Sequence, residues 1–377
     1  MAIRTGPEPA SPTPDAPGAV VFSAPLESLG DPRLSRRPRL ALTQGDPAGI
    51  GPEILLKLLS DPAGVPFLPW EPVLIAERAA FEGLRELLPA APWERLHWLS
   101  GPPARADLDV LLAADLIPVL DPVGVRRDVA FGLSGPADAA GAMAALDAGI
   151  ALVRSGSADA LVTAPVSKES IARQHLPGFK GHTDYLAEAC GLERYGRDYL
   201  MAFLAPGLQV ALLTVHVPLR EAIDTAVDGG AIAEALDCLN RHAGGKIALA
   251  GLNPHAGEGG LLGEEEGRFL VPAVAAARAR GLDVHGPESA DSLFARASRG
   301  EFDWVLALYH DQGLIAVKTA SFGLATNWTL GLPFLRTSVD HGTAFGLAGT
   351  GKADAGPLAA VVETTMALIE GTLPQRR

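Results

Sequence analysis

Three histidines stand where short apolar runs stop. "LQVALLTV" runs into His216, "KIALAGLNP" into His255 and "DWVLALY" into His310. Neutral imidazole suits Zn, Fe, Co or Ni, and three protein ligands leave positions open for substrate or water. Each histidine taken alone reads as a residue hydrogen-bonded at a sheet edge. Repeated at one topological position, His216, His255 and His310 read as the donor set of a divalent metal. The chain has nine histidines, and the other six lack this placement.

A second group of residues has the chemistry to hold an anion. His182 stands in "GFKGHTDYLAEACG", a loop that opens a helix. Thr183 can cap that helix, and its free N–H groups attract negative charge. A capping turn with no ligand is the plainer reading. Lys318, Asn327 and Arg336 follow His310 and are spaced nine residues from one to the next. Two cations and an amide can hold a carboxylate or phosphate, Arg in bidentate fashion. Taken singly, each reads as a solvated surface group. "GDPAGIGPE" (45–53) is Gly-rich but is neither a dinucleotide fingerprint nor a P-loop. "VDHGTAFGLAGTGKAD" (339–354) is a second Gly-rich loop, followed by an Ala-rich helix. No nucleophile elbow, Ser/His/Asp order or paired-carboxylate spacing stands out.

These residues need a scaffold, and the apolar pattern supplies one. Strands are expected at 39–43, 72–76, 159–163, 208–214, 246–251 and 303–308. Helical stretches lie between them, including 139–156, 219–245 and 267–281. Apolar strands separated by helices imply an α/β fold with a largely parallel sheet. Ligands of such sheets bind outside the carboxyl ends of the strands, so the polar residues that follow each strand are expected to face one crevice.

Composition sets the outer limits. The chain has 377 residues, 48% hydrophobic and 20% charged, as expected of a globular protein with a sizeable core. A net charge of −13 argues against nucleic acid as a partner, because phosphate-backbone binding needs a basic face. An anionic small molecule requires a local cluster of cations that overrides the global field. No apolar run of about 18 residues spans a membrane, and the N-terminus lacks the apolar segment of a signal peptide. Residues 1–37 read as a Pro/Ala-rich disordered extension. Cys190 and Cys238 read as reduced core thiols, and the expected location is the cytoplasm.

Taken together, "LTQGDPAGIGPE", "ALVTAPVSKE", "GHTDYLAE", "TVHVPLREA", "GLNPHAGEGG", "GPESADSLF", "YHDQGLIAVK" and "NWTLGLPFLRTSVDHGTAFGLAGTGKAD" resemble the 4-hydroxythreonine-4-phosphate dehydrogenases, the PdxA family. The resemblance spans about residues 40 to 354. It implies a two-lobed fold like that of isocitrate and isopropylmalate dehydrogenases, with a cleft between the lobes. The first lobe would be 38–160 joined by 320–377, and the second 161–319. It further implies a homodimer with the active site at the subunit interface. His216, His255 and His310 would bind a divalent metal (Zn, Mg or Co). His182, Thr183, Lys318, Asn327 and Arg336 would contact a phosphorylated substrate, and Asp291 would lie near its amino end. Asp340, His341, Gly342 and Thr343, in the "DHGTAFGLAG" loop, would contact NAD or NADP. Lys318 is the candidate for proton transfer, a desolvated Lys beside a cation being tunable toward neutral pH. The implied reaction oxidises 4-phosphohydroxy-L-threonine at its 3-hydroxyl, with decarboxylation to 3-amino-2-oxopropyl phosphate, in vitamin B6 synthesis. A 4-phospho-D-threonate or erythronate dehydrogenase would share these residues. A three-His zinc hydrolase would use the histidines without a nicotinamide.

Overall fold

The computed structural model describes residues 36–60 and 68–373. The expected extension 1–37 lies outside the described residues except for Arg36 and Arg37. Twelve strands form one sheet: β1 (Arg39–Thr43), β2 (Glu71–Ile75), β3 (Leu96–Leu99), β4 (Ile117–Leu120), β5 (Ala160–Thr163), β6 (Leu200–Ala205), β7 (Leu208–Leu212), β8 (Ile247–Ala250), β9 (Val284–Glu288), β10 (Trp304–Ala307), β11 (Thr326–Leu330) and β12 (Leu335–Val339). Their order across the sheet is β3-β4-β2-β1-β5-β12-β11-β6-β7-β10-β8-β9. Eight of the eleven pairings are parallel, as the alternation of strands and helices predicts. The α/β expectation with a largely parallel sheet is met.

The three antiparallel pairings, β12–β11, β11–β6 and β6–β7, sit together in the middle. Three successive reversals leave β7, β10 and β8 running opposite to β1, β2 and β5. The carboxyl ends of the two halves therefore point to opposite edges of the sheet, not into one shared crevice. His216, His255 and His310 do share an edge, because β7, β10 and β8 are mutually parallel neighbours.

Twelve α-helices pack around this sheet among the described residues: α1 (Gly51–Leu58), α2 (Arg78–Glu82), α3 (Arg105–Ala113), α4 (Pro136–Arg154), α5 (Lys168–Gln174), α6 (His182–Ala189), α7 (Leu219–Ala226), α8 (Gly229–His242), α9 (Val271–Ala279), α10 (Ala290–Ala297), α11 (His310–Ser321) and α12 (Gly356–Ile369). One core joins β1, β2 and β5 to α1, α4 and α12 through Leu42, Ile54, Leu74, Leu146, Val162 and Leu358. It also takes in Ile171, Phe179 and Leu186, from the stretch assigned by sequence to the second lobe. In the other half, strand alternation feeds two cores. Leu204, Leu249 and Leu306 point to one face, while Phe203, Ala248 and Val305 point to the other.

Several expected elements differ in detail. The single stretch 219–245 is two helices, since the Asp228 carboxylate accepts the Gly230 amide and starts α8 afresh. Strands β3 and β9 escape the apolar pattern because both are only partly buried at the sheet margins. Helix α4 is long and apolar enough to cross a membrane by length and composition, yet 61% of that window is buried within the protein.

Where β2 ends, Glu77 is held by Arg127, which also binds Asp138 in the first turn of α4. Both carboxylates are buried, and the guanidinium pins the end of β2 to the start of α4. Removing the cation strands two buried anions, a loss of about 3–5 kcal/mol for a broken buried network. Urea unfolding of Arg127→Ala is expected to show a midpoint shift of that size without a change in slope. A shift under about 1 kcal/mol, the range of surface pairs, would mean that water replaces the guanidinium.

Candidate active site

A cavity of about 550 Å³ lies over the central strands β5, β12, β11 and β6, between α6 and α11. It gathers ten of the residues singled out by sequence: His182, Thr183, His216, His310, Lys318, Asn327, Arg336, Asp340, His341 and Gly342. His255, Asp291 and Thr343 do not line it.

Arg336 projects from β12 and is 1% exposed. Its Nη1 donates to Thr329 Oγ1 (3.0 Å) and its Nη2 to Thr163 Oγ1 (2.6 Å), while Nε has no partner. No carboxylate pairs with it among the described residues. Burial pushes its pKa down to about 9, still far enough above neutrality to keep the charge. A buried guanidinium held only by hydroxyls costs several kcal/mol, a cost that an anionic ligand offsets. Two further groups await a partner in the same cavity, since His182 Nε2 and Asn327 Oδ1 are buried and unbonded. Burial, then the charges of Arg336 and Lys168, hold the pKa of His182 well below its ordinary value.

Lys168, Lys180, Asp184 and Ser338 also line the cavity; sequence reasoning gave none of them a role and placed only Lys168 among the polar residues that follow a strand. Lys168 follows β5 in "APVSK", so its placement after a strand was the available signal. Its stem lies against Gly181, where a Cβ would come within 2.9 Å of Lys168 Cε and where φ is +143°. Only glycine fits there. Four cations (Lys168, Lys180, Lys318, Arg336) thus face two carboxylates (Asp184, Asp340) inside a protein of net charge −13. The local field favours an anion against the global one.

Thr183 is not the cap of α6. Gly181 occupies that position, and the Thr183 hydroxyl instead lies 3.5 Å from that of Thr329. Nor is Lys318 desolvated in one chain, being 54% exposed with Nζ 3.4 Å from Asp340 Oδ2. Burial raises the pKa of Asp340, and the Lys318 charge opposes that shift. Thr343 turns toward the "GDPAGIGPE" turn, where its carbonyl accepts the Ile50 amide at 3.1 Å. The two Gly-rich loops are therefore joined to each other.

The histidines divide. The rings of His216 and His310 lie 5.6 Å apart in the cavity. Burial and then Lys168 lower the pKa of His216, which favours the neutral, ligating form. His310 Nδ1 meets Asp311 Oδ1 at 2.8 Å, an arrangement that leaves Nε2 free as a donor atom. This pair fits a divalent metal as far as it goes. His255 lies elsewhere, 60% exposed, with Nδ1 3.9 Å from Asp291 Oδ2. Among the described residues no three His, Cys, Asp or Glu side chains converge to hold a metal. His255 opens a run, 255–259, in which every φ is positive, from +45° to +80°. For its non-glycine members this costs about 1–2 kcal/mol each.

A family model, the pyridoxal phosphate biosynthetic protein PdxA, matches residues 71–365. The chain belongs to this family. A 4-hydroxythreonine-4-phosphate dehydrogenase of Aromatoleum aromaticum is 42% identical over 343 residues, 89% of this chain and 98% of that relative. The enzyme of that name from Neisseria meningitidis serogroup B is 40% identical over 348 residues, 90% of this chain and 100% of its own length. A crystal structure of 4-hydroxythreonine-4-phosphate dehydrogenase from Klebsiella pneumoniae superposes with a TM-score of 0.73 at 35% identity, covering 88% of this chain and 99% of that one. A terephthalate 1,2-cis-dihydrodiol dehydrogenase from Burkholderia xenovorans LB400 also superposes, with a TM-score of 0.57 at 26% identity, covering 90% and 99%. Membership in the PdxA family is thus shared across nearly the whole described chain.

The lowered pKa of His182 has a consequence for stability. The unfolded histidine binds a proton near pH 6.5 and the folded one resists it. Stability from this group is complete above that pH and is lost as pH falls below it. Thermal unfolding between pH 7.5 and 5.0 is expected to fall more steeply for the wild type than for His182→Gln, which cannot titrate. Parallel curves for the two proteins would show that His182 takes up its proton freely.

Proposed function

We propose that this PdxA-family protein is an NAD- or NADP-dependent dehydrogenase. In this reading it oxidises 4-phosphohydroxy-L-threonine at the 3-hydroxyl and releases carbon dioxide, giving 3-amino-2-oxopropyl phosphate for vitamin B6 synthesis. The observation that carries the phosphorylated substrate is Arg336, a buried cation without an acidic partner, set in a cavity where cations outnumber carboxylates. The names of the relatives carry the reaction type and the pathway.

The chain's own residues divide the work. Arg336 gives the bound anion its charged, directional contact, and the unpaired His182 Nε2 and Asn327 Oδ1 supply polar contacts beside it. A neutral His182 can donate or accept a hydrogen bond without adding charge. Lys318, backed by Asp340, moves the proton needed as the hydroxyl is oxidised and as carbon dioxide leaves. His216 and His310 supply two ligands for a divalent ion, and His255 of a second copy of the chain supplies the third. Asp291 of that second copy stays beside its His255 and enters this chain's cleft with it, toward the substrate's amino group. A bound divalent ion would supply Lewis-acid stabilisation of negative charge developing on oxygen. The Gly-rich loop at Asp340, His341 and Gly342 borders the same cavity and is the proposed contact for the nicotinamide cofactor.

The deciding assay follows NADH or NADPH absorbance with a divalent ion and either 4-phosphohydroxy-L-threonine or 4-phospho-D-threonate. Turnover of the amino substrate is expected. Preference for the threonate would keep the mechanism and move the enzyme to sugar-acid catabolism, and silence with both would overturn the proposal. Lys318→Met is expected to lower kcat by about 10²–10⁴-fold, the usual worth of a positioned acid or base, with metal content unchanged. Mixing inactive His216→Ala and His255→Ala chains tests the shared site. Random pairing makes half the dimers mixed, each with one intact site, so about a quarter of wild-type activity should return. No recovery would mean that each chain builds its site alone.

A further inference from the structure

His255 is useful to a second chain only if its loop holds an outward pose without help from its own cleft. The loop carries an unusual anchor. Glu266 follows it in chain order, is 4% exposed, and has no cationic partner among the described residues. Its Oε1 accepts the backbone amides of Leu252 (2.8 Å) and Asn253 (2.6 Å), and its Oε2 accepts Asn253 Nδ2 (2.9 Å). Oε2 also fills the space that a Cβ on Gly257 would need, at 2.8 Å. One buried carboxylate thus grips the loop before the left-handed run and packs against its centre. Gln312, two residues after His310, ties the same loop to the cavity edge: Nε2 donates to the Gly251 carbonyl and Oε1 accepts the Leu308 amide, at 2.8 and 2.7 Å. Beyond the run, Leu261 at the loop tip is 83% exposed.

We infer that Glu266 is a positioning residue. It holds 252–263 in a preformed, strained turn that delivers His255 to the metal site of a second copy. This rests on the shared three-His reading above. A carboxylate serves better than a neutral amide here because three N–H donors converge on it, and charge strengthens each bond. Its burial without a cation carries a desolvation cost, offset by three N–H donors that an apolar residue would leave unpaired. The loop's geometry is what that cost maintains.

The test uses full-length protein and cobalt(II) as the probe, comparing the wild type with Glu266→Gln and Glu266→Ala. Cobalt affinity and the cobalt absorption spectrum report the third nitrogen ligand, and light scattering reports the oligomer. Glu266→Ala is expected to weaken cobalt binding by about 10–100-fold, the range for lost outer-shell support, and to alter the spectrum while remaining an oligomer. Glu266→Gln, which can still accept the two backbone amides, should lie between and serves if the alanine variant does not fold. Wild-type affinity and spectrum in a folded variant would overturn the inference alone. A wild-type chain that takes no cobalt, or a His216→Ala chain that binds it unchanged, would instead overturn the shared metal site and this role with it.

Discussion

A guanidinium buried without a carboxylate is the constraint around which the rest of the cavity is arranged. Arg336 could have been neutralised by an acid on β5 or β11, its neighbours in the sheet. Both strands offer hydroxyls instead, Thr163 and Thr329. The hydroxyls take one N–H from each terminal nitrogen without cancelling the charge, so the cation remains available to a ligand. The same choice extends outward. His182 is kept neutral by burial and by nearby cations, and the carboxylate at Asp340 faces Lys318, not Arg336. The charge that folding leaves uncompensated defines what the site can bind.

The sheet explains how one cavity reaches both halves of the chain. A wholly parallel sheet would put every carboxyl end on one edge, and a ligand would lie beyond that edge. Here the central reversals send the two sets of ends in opposite directions. The face of the antiparallel seam is then the surface that both halves share. Lys168 and Thr163 reach it from the first half, and His216 and His310 reach it from the second. Arg336 and Asn327 belong to the seam itself, on β12 and β11.

Much of this was legible in the sequence, and the gaps have physical causes. The six expected strands all form, yet an apolar run alone does not decide the matter, since β4 and β6 are as apolar and as buried and were not expected. The seam was not legible: β11 and β12 carry Asn327, Trp328, Thr329, Arg336 and Thr337, a polar pattern that reads as a binding loop. The residue types of the site could be read, since strand-terminal histidines and regularly spaced cations leave a signature. Lys168 stood among the polar residues expected after a strand, but one lysine at the start of a helix revealed no role. Only the fold shows that Gly181 lacks a side chain to make room for it. The exposure of Lys318 could not be read either, because desolvation depends on what covers a residue and not on its neighbours in sequence.

The placement of His255 carries the synthesis one step further. A histidine that follows a strand parallel to and beside those of His216 and His310 should, on topology alone, join them. What separates it is the backbone after β8, which turns left-handed for five residues and carries the side chain away. Such a run does not arise by default in L-amino acids, and it is locked by Glu266 and by the absence of a side chain at Gly257. A chain that holds a histidine out of its own cleft, with Asp291 beside it, supports the proposed reading in which that histidine serves another molecule. Two copies related by a twofold axis would exchange these loops reciprocally, each completing the other's pair of histidines. Catalytic competence would then require association, and an isolated chain would bind its anion through Arg336 while lacking the third ligand for its metal.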